Sequence, residues 1–285
     1  MRANGRNIPA LVHAQVLICL GLTLVVGDAS ADEPHARGSV YAVNPHIDGP
    51  IILAGATATI VPYALADRII DTRCPCDPNE VDGWDRGAID NHSNVAGLVS
   101  DLAVGAAVLG PVAIELLGTR RPYLTLIEDL TVFAEVLAVN AAAVTLVKHW
   151  VQRPLPRTYE GEVDLVETPY GYRAFYSGHA ATAFAALSTA AMTAGYRHGH
   201  RWWPWLASLA LGSTVAAGRV LGGYHFYSDV VVGALAGTTF GVGIPLIHRR
   251  RGADREAEGW QAWSVRPIVQ VRHDVTALLF SFTPR

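Results

Sequence analysis

Residues 174–192 read "AFYSGHAATAFAALSTAAM", with Ser177, Gly178 and His179 set directly before a run of small apolar residues. A helix starting here leaves unpaired backbone N–H groups and a partial positive charge at its N-terminus, which suits an anion such as phosphate. Glycine permits close approach of the backbone, and the serine hydroxyl can donate to a phosphate oxygen or cap the helix. His179 then stands beside the anion. An N-cap serine followed by histidine also has an ordinary structural explanation, so the surrounding sequence has to decide.

Outward from this stretch, the chain of 285 residues is 51% hydrophobic and 16% charged, with a mean hydropathy of +0.24. That composition points to one helical membrane domain. A formal net charge of −3 provides no basic field for nucleic acid, and neither zinc-type cysteine spacing nor a glycine-rich nucleotide loop is seen. No nucleic-acid partner is expected, and nothing in these features points to a cofactor.

Arg2 and Arg6, the apolar run "ALVHAQVLICLGLTLVV" and the small-x-small "ASA" ending at Ala31 mark residues 1–31 as a leader or an uncleaved anchor. Either one sends residue 32 onward across the membrane, and residues 32–94 form an export-side segment. Spans of about 20 apolar residues are expected at 95–117, 124–147, 179–194, 205–220 and 230–247. The shorter run 51–66 carries Pro62 and is read as re-entrant or interfacial; if it crosses, the count becomes six. Basic residues cluster at Arg120 and Arg121, at Arg197 and Arg201, and in "HRRR" from His248 to Arg251. The positive-inside rule puts these connections in the cytoplasm and the polar motifs in the periplasm. Asp101, Glu115, Glu128, Asp129 and Glu135 lie in the spans, so these helices must face protein or water there. Gly233, Gly237 and Gly241 give the last helix a face for close packing, and Trp202, Trp203 and Trp205 are expected as interfacial anchors.

A second constellation is "AGRVLGGYHFYSDVVVG" at 217–233. His225 and Asp229 are four apart and share a helix face, so the carboxylate can fix one ring nitrogen and leave the other as a nucleophile. Arg219 can fold back over the Gly222-Gly223 turn toward the same anion. A third is "VTLVKHWVQRPLPRTYEG" at 144–161, in which Lys148, Arg153 and Arg157 present cations at a helix end; snorkelling anchors are the plain alternative.

Together these three stretches resemble the type 2 phosphatidic acid phosphatase and vanadium haloperoxidase superfamily, whose motifs are Lys-x6-Arg-Pro, Pro-Ser-Gly-His and Ser-Arg-x5-His-x3-Asp. Lys148 matches the first; Ser177, Gly178 and His179 match the second; Arg219, His225 and Asp229 match the third. The resemblance covers roughly 95–247 and implies an all-α membrane bundle with metal-independent phosphatase activity on lipid phosphates or pyrophosphates. By that likeness His225 is the nucleophile, Asp229 its partner and His179 the acid and base. Lys148, Ser177, Gly178 and Arg219, with Arg153 and Arg157, bind phosphate. The sequence departs from the pattern at Tyr176, Gly218 and, most seriously, Leu155, which occupies the place of the first-motif arginine. A vanadate-dependent haloperoxidase and a weakened phosphate-binding homologue stay open as alternatives.

Two segments fall outside the motifs. "RCPCDPNEVDGWDR" at 73–86 is expected as a polar loop by the site, its two cysteines too close for a relaxed bridge but open to an oxidised pair or a partner thiol. The tail 248–285 carries an expected short β-hairpin.

Overall fold

The computed structural model describes residues 39–117, 123–199 and 201–250, with the backbone of 263–272 and 275–284. The leader segment 1–31 and the Arg120–Arg121 connection lie outside the described residues. Among the described residues, six long helices belong to the unit that ends at Arg250. They are α1 (Pro45–Ala64), α2 (Asn94–Leu117), α3 (Tyr123–Val151), α4 (Gly178–His198), α5 (Trp203–Leu221) and α6 (Tyr227–His248). In a separate unit, β1 (Trp263–Arg272) and β2 (Val275–Pro284) pair antiparallel as the expected hairpin, with Trp263 opposite Pro284.

The chain is a membrane protein whose long elements up to Arg250 are, among the described residues, all helices: α1, α2, α3 and α6 are each long and apolar enough to cross a bilayer. Of the five expected spans, α4 and α5 do not reach that hydropathy. The reason for α4 is its position, for it packs against α2, α3, α5 and α6 at once. Its Ala180, Ala181, Ala183, Ala185 and Ala186 are fully buried, so it meets protein where an outer helix meets lipid. In α2 the large residues Leu98, Leu102, Leu109 and Ile114 are exposed, whereas Ser100, Ala103, Val104 and Ala107 are buried.

The run 51–66 differs from its reading. It belongs to the 20-residue α1, which is capped by the Asn44 side chain accepting from the His46 N–H, starts with Pro45 and contains both Pro50 and Pro62. Prolines persist in membrane helices where neighbours and local adjustment satisfy the freed carbonyls. α1 packs closely on α3: a Cβ at Gly55 would lie 2.8 Å from the Ala138 carbonyl oxygen. Residues 39–94 therefore do not stay at one end of the bundle. Tyr41 forms a bridge with Arg249 just after α6, while the stretch after α1 reaches the opposite end, where the Arg73 and Cys74 N–H groups donate to the Tyr172 hydroxyl.

The glycine stripe of α6 lies on α4. A Cβ at Gly233, Gly237 or Gly241 would come within 2.6, 2.1 or 2.5 Å of the carbonyl oxygens of Ser177, Ala181 and Ala185. The acids in the spans are matched as membrane burial demands. Asp129 takes a two-point ion pair from Arg197 at 2.6 and 2.5 Å, Glu128 accepts from Ser39, and Glu135 and Asp48 lie 3.3 and 3.4 Å from His248 Nε2.

Candidate active site

Four helix ends converge at one end of the bundle: the C-termini of α3 and α5 and the N-termini of α4 and α6. Between them lies a cavity of about 90 Å³ whose lining includes Lys148, Arg173, Gly178, His179, Arg219 and His225. Five of these six come from the three sequence motifs. Arg173 does not.

The second motif opens α4 as expected. The Ser177 hydroxyl is fully buried and accepts from the Ala180 N–H at 3.4 Å, so it caps the helix and does not face the cavity. The Ser177 N–H donates to the Asp229 carbonyl at 3.0 Å, which locks the start of α4 to the first turn of α6. Gly178 leaves room for Val144 and Lys148, since a Cβ there would lie 3.2 Å from Val144 Cγ1. His179 Nε2 meets Asp101 Oδ1 at 3.0 Å, and Arg219 Nη1 donates to that same oxygen at 3.0 Å. Asp101, which the sequence shows only as an acid within a span, is thus brought to the site by the fold.

In the third motif, His225 is buried and its Nδ1 lies 3.6 Å from Asp229 Oδ2. That exceeds a hydrogen bond, and Nδ1 has no other partner. Asp229 is held by other donors: Oδ2 accepts from the Phe226 N–H at 2.9 Å and Oδ1 from Arg153 Nη1 at 2.7 Å. Burial pushes the His225 imidazole down to about 3, so the ring is neutral and nucleophilic near pH 7. Because Nδ1 is the enclosed atom, the ring offers its other edge to the cavity.

The first motif departs from expectation. Lys148, buried in the last turn of α3, donates to the Arg173 carbonyl and lines the cavity. Arg153 does not line it. Its guanidinium bridges Asp229 and Asp85, at 2.7 and 2.8 Å, donates to Ser228 Oγ at 2.8 Å and lies 4.0 Å over the Phe226 ring. Two buried carboxylates outcompete an open cavity for its planar fork. Arg157 also lies outside the cavity, stacked 4.8 Å over Tyr224. The assignment of these two arginines to phosphate is therefore corrected: Arg153 positions Asp229, and Arg157 covers Tyr224. Leu155 is buried with Val81, Ala88, Ile89 and Phe226 and reaches the cavity edge.

At this end of the bundle Cys74 and Cys76 form a disulfide with Cα atoms 4.5 Å apart, within the range that a bridge spans. Of the two arrangements left open by the sequence, the oxidised pair is the one found.

The three motif clusters thus meet at one cavity of a helical bundle, and the PAP2 superfamily model matches residues 129–253 of this chain. Two solved structures are similar to it. Aquifex aeolicus LpxE shows 22% identity and a TM-score of 0.42 over 62% of this chain and 99% of its own. The first transmembrane PAP2-type phosphatidylglycerolphosphate phosphatase from Bacillus subtilis shows 16% identity and a TM-score of 0.42, over 88% of this chain and 98% of its own. No curated protein matches the sequence.

Proposed function

We propose that the protein is a membrane phosphatase that hydrolyses lipid phosphomonoesters or pyrophosphates through a phosphohistidine, without a metal. The observation that carries this reading is the meeting of His225, His179, Lys148 and Arg219 on one cavity. The neutral His225 ring attacks phosphorus as the P–O bond to the leaving group breaks. His179, hydrogen-bonded to Asp101, gives that oxygen its proton and then takes one from the water that cleaves the phosphohistidine. Lys148 and Arg219 stabilise the equatorial oxygens, which is the main demand of phosphoryl transfer. The test is phosphate release from a panel of lipid phosphates by purified protein in detergent with chelator present. Activity that persists in His225→Ala sinks the mechanism.

The proposal places the protein in a bacterial inner membrane with the site toward the periplasm. The Cys74–Cys76 disulfide at the site end supports an oxidising side, and Arg197, Arg201, Arg249 and Arg250 belong to the opposite end. The leader reading of 1–31 points the other way, because α1 adds a crossing. Labelling of Glu162→Cys by a membrane-impermeant thiol reagent in spheroplasts decides: no labelling there, with labelling after lysis, places the site inside.

A further inference from the structure

We propose that Arg173 supplies the guanidinium that Leu155 cannot, gripping the phosphoryl oxygens of the substrate from across a short backbone pairing. The inference rests on the phosphatase reading above and names a further substrate-binding residue of that site. The Leu155 N–H donates to the Gly171 carbonyl at 2.8 Å, and the Ala174 N–H donates to the Arg153 carbonyl at 2.9 Å. Residues 153–155 and 171–174 therefore run side by side, and Arg173 stands next to the position from which Leu155 reaches the cavity edge.

The side chain is prepared for an anion. Its guanidinium lies 4.7 Å over the ring of Tyr63 and 5.4 Å over that of Tyr170, both cavity-lining residues. Among the described residues no carboxylate forms an ion pair with it, unlike Arg153, Arg197 and Arg219. Stacking fixes the plane of the fork while leaving its N–H edge available, a mode in which arginine surpasses lysine. Burial pushes this guanidinium below its usual range, and a bound dianion would offset that cost. The Arg173 carbonyl also accepts from Lys148 Nζ, so one residue sets the lysine with its backbone and presents the guanidinium with its side chain. With Lys148 and Arg219, the cavity then holds three cations for the three equatorial oxygens of a transferring phosphoryl group.

The experiment compares the full-length wild type with Arg173→Ala and Arg173→Lys in detergent. It measures orthovanadate affinity by calorimetry, kcat and KM on a lipid phosphate, and thermal unfolding. Loss of charge-assisted hydrogen bonds predicts vanadate binding weaker by on the order of 10- to 100-fold in Arg173→Ala, with a matching fall in kcat/KM. Arg173→Lys should recover part of the loss. An Arg173→Ala protein that binds vanadate and turns over like wild type overturns the assignment and leaves the phosphatase reading standing. If Arg173→Ala does not fold, Arg173→Lys carries the test, and vanadate affinity equal to wild type there overturns the fork. A wild type that neither hydrolyses lipid phosphates nor binds vanadate overturns both readings together.

Discussion

Replacing Gly237 with alanine tests how the helix packing holds the site together. The new Cβ would sit 2.1 Å from the Ala181 carbonyl oxygen, backbone atoms that no side-chain rotation can move aside. An ordinary contact begins at 3.4 Å, so α4 and α6 must part locally by about 1.3 Å, overpacking that costs about 1–3 kcal/mol. The gain in helix propensity from glycine to alanine, about 1 kcal/mol, offsets part of it. The effect on activity should be larger than on stability. The Ser177 N–H to Asp229 carbonyl bond, at 3.0 Å, joins the same two helices at the site, and a misplacement of about 1 Å can cost on the order of 100-fold in rate. Thermal unfolding in detergent and kcat/KM are measured for Gly237→Ala beside Gly243→Ala, whose Cβ would meet nothing within 4 Å. The expected result is a lower melting temperature and sharply reduced turnover for Gly237→Ala alone. If both variants melt and turn over alike, the glycine stripe does not set the separation of the two helices, and the reasoning fails.

Two further outcomes follow from the same geometry. An unfolded His225 takes a proton below its ordinary value of 6.5, while the folded ring resists protonation down to about 3; between these values the unfolded state binds more protons, so stability is lost as pH falls. Acidification from pH 7 to pH 4 should lower the melting temperature of wild type more than that of His225→Gln, and equal slopes would refute the buried neutral ring. Arg153→Ala leaves the buried carboxylates of Asp85 and Asp229 without their shared cation and should destabilise by about 3–5 kcal/mol. Adding Asp85→Ala should recover part of that loss in a double-mutant cycle on unfolding, whereas additive effects would show that Arg153 does not bridge the pair.

The sequence by itself determined most of the helices and the core of the site. Spans at 95–117, 124–147, 179–194, 205–220 and 230–247 match α2 to α6 within a few residues, because apolar runs and their caps are local properties of the chain. His179, His225, Lys148, Gly178 and Arg219 were legible for the same reason: each motif fixes its own spacing within one helix end or turn. What tertiary structure decided was everything that depends on a neighbour far along the chain. Pro62 read as an interruption, yet α1 continues through it because Gly55 seats the helix against Ala138 of α3. The burial of α4 inside four other helices explains a composition too poor in large residues to face lipid. Among the arginines the sequence shows only equal charges, with Arg153 and Arg157 each two residues from Leu155. Asp85 and Asp229, 68 and 76 residues away, draw Arg153 out of the cavity, and the pairing of 153–155 with 171–174 brings Arg173 into it. A charge carries no address of its own; the partners that the fold sets beside it decide which anion it meets.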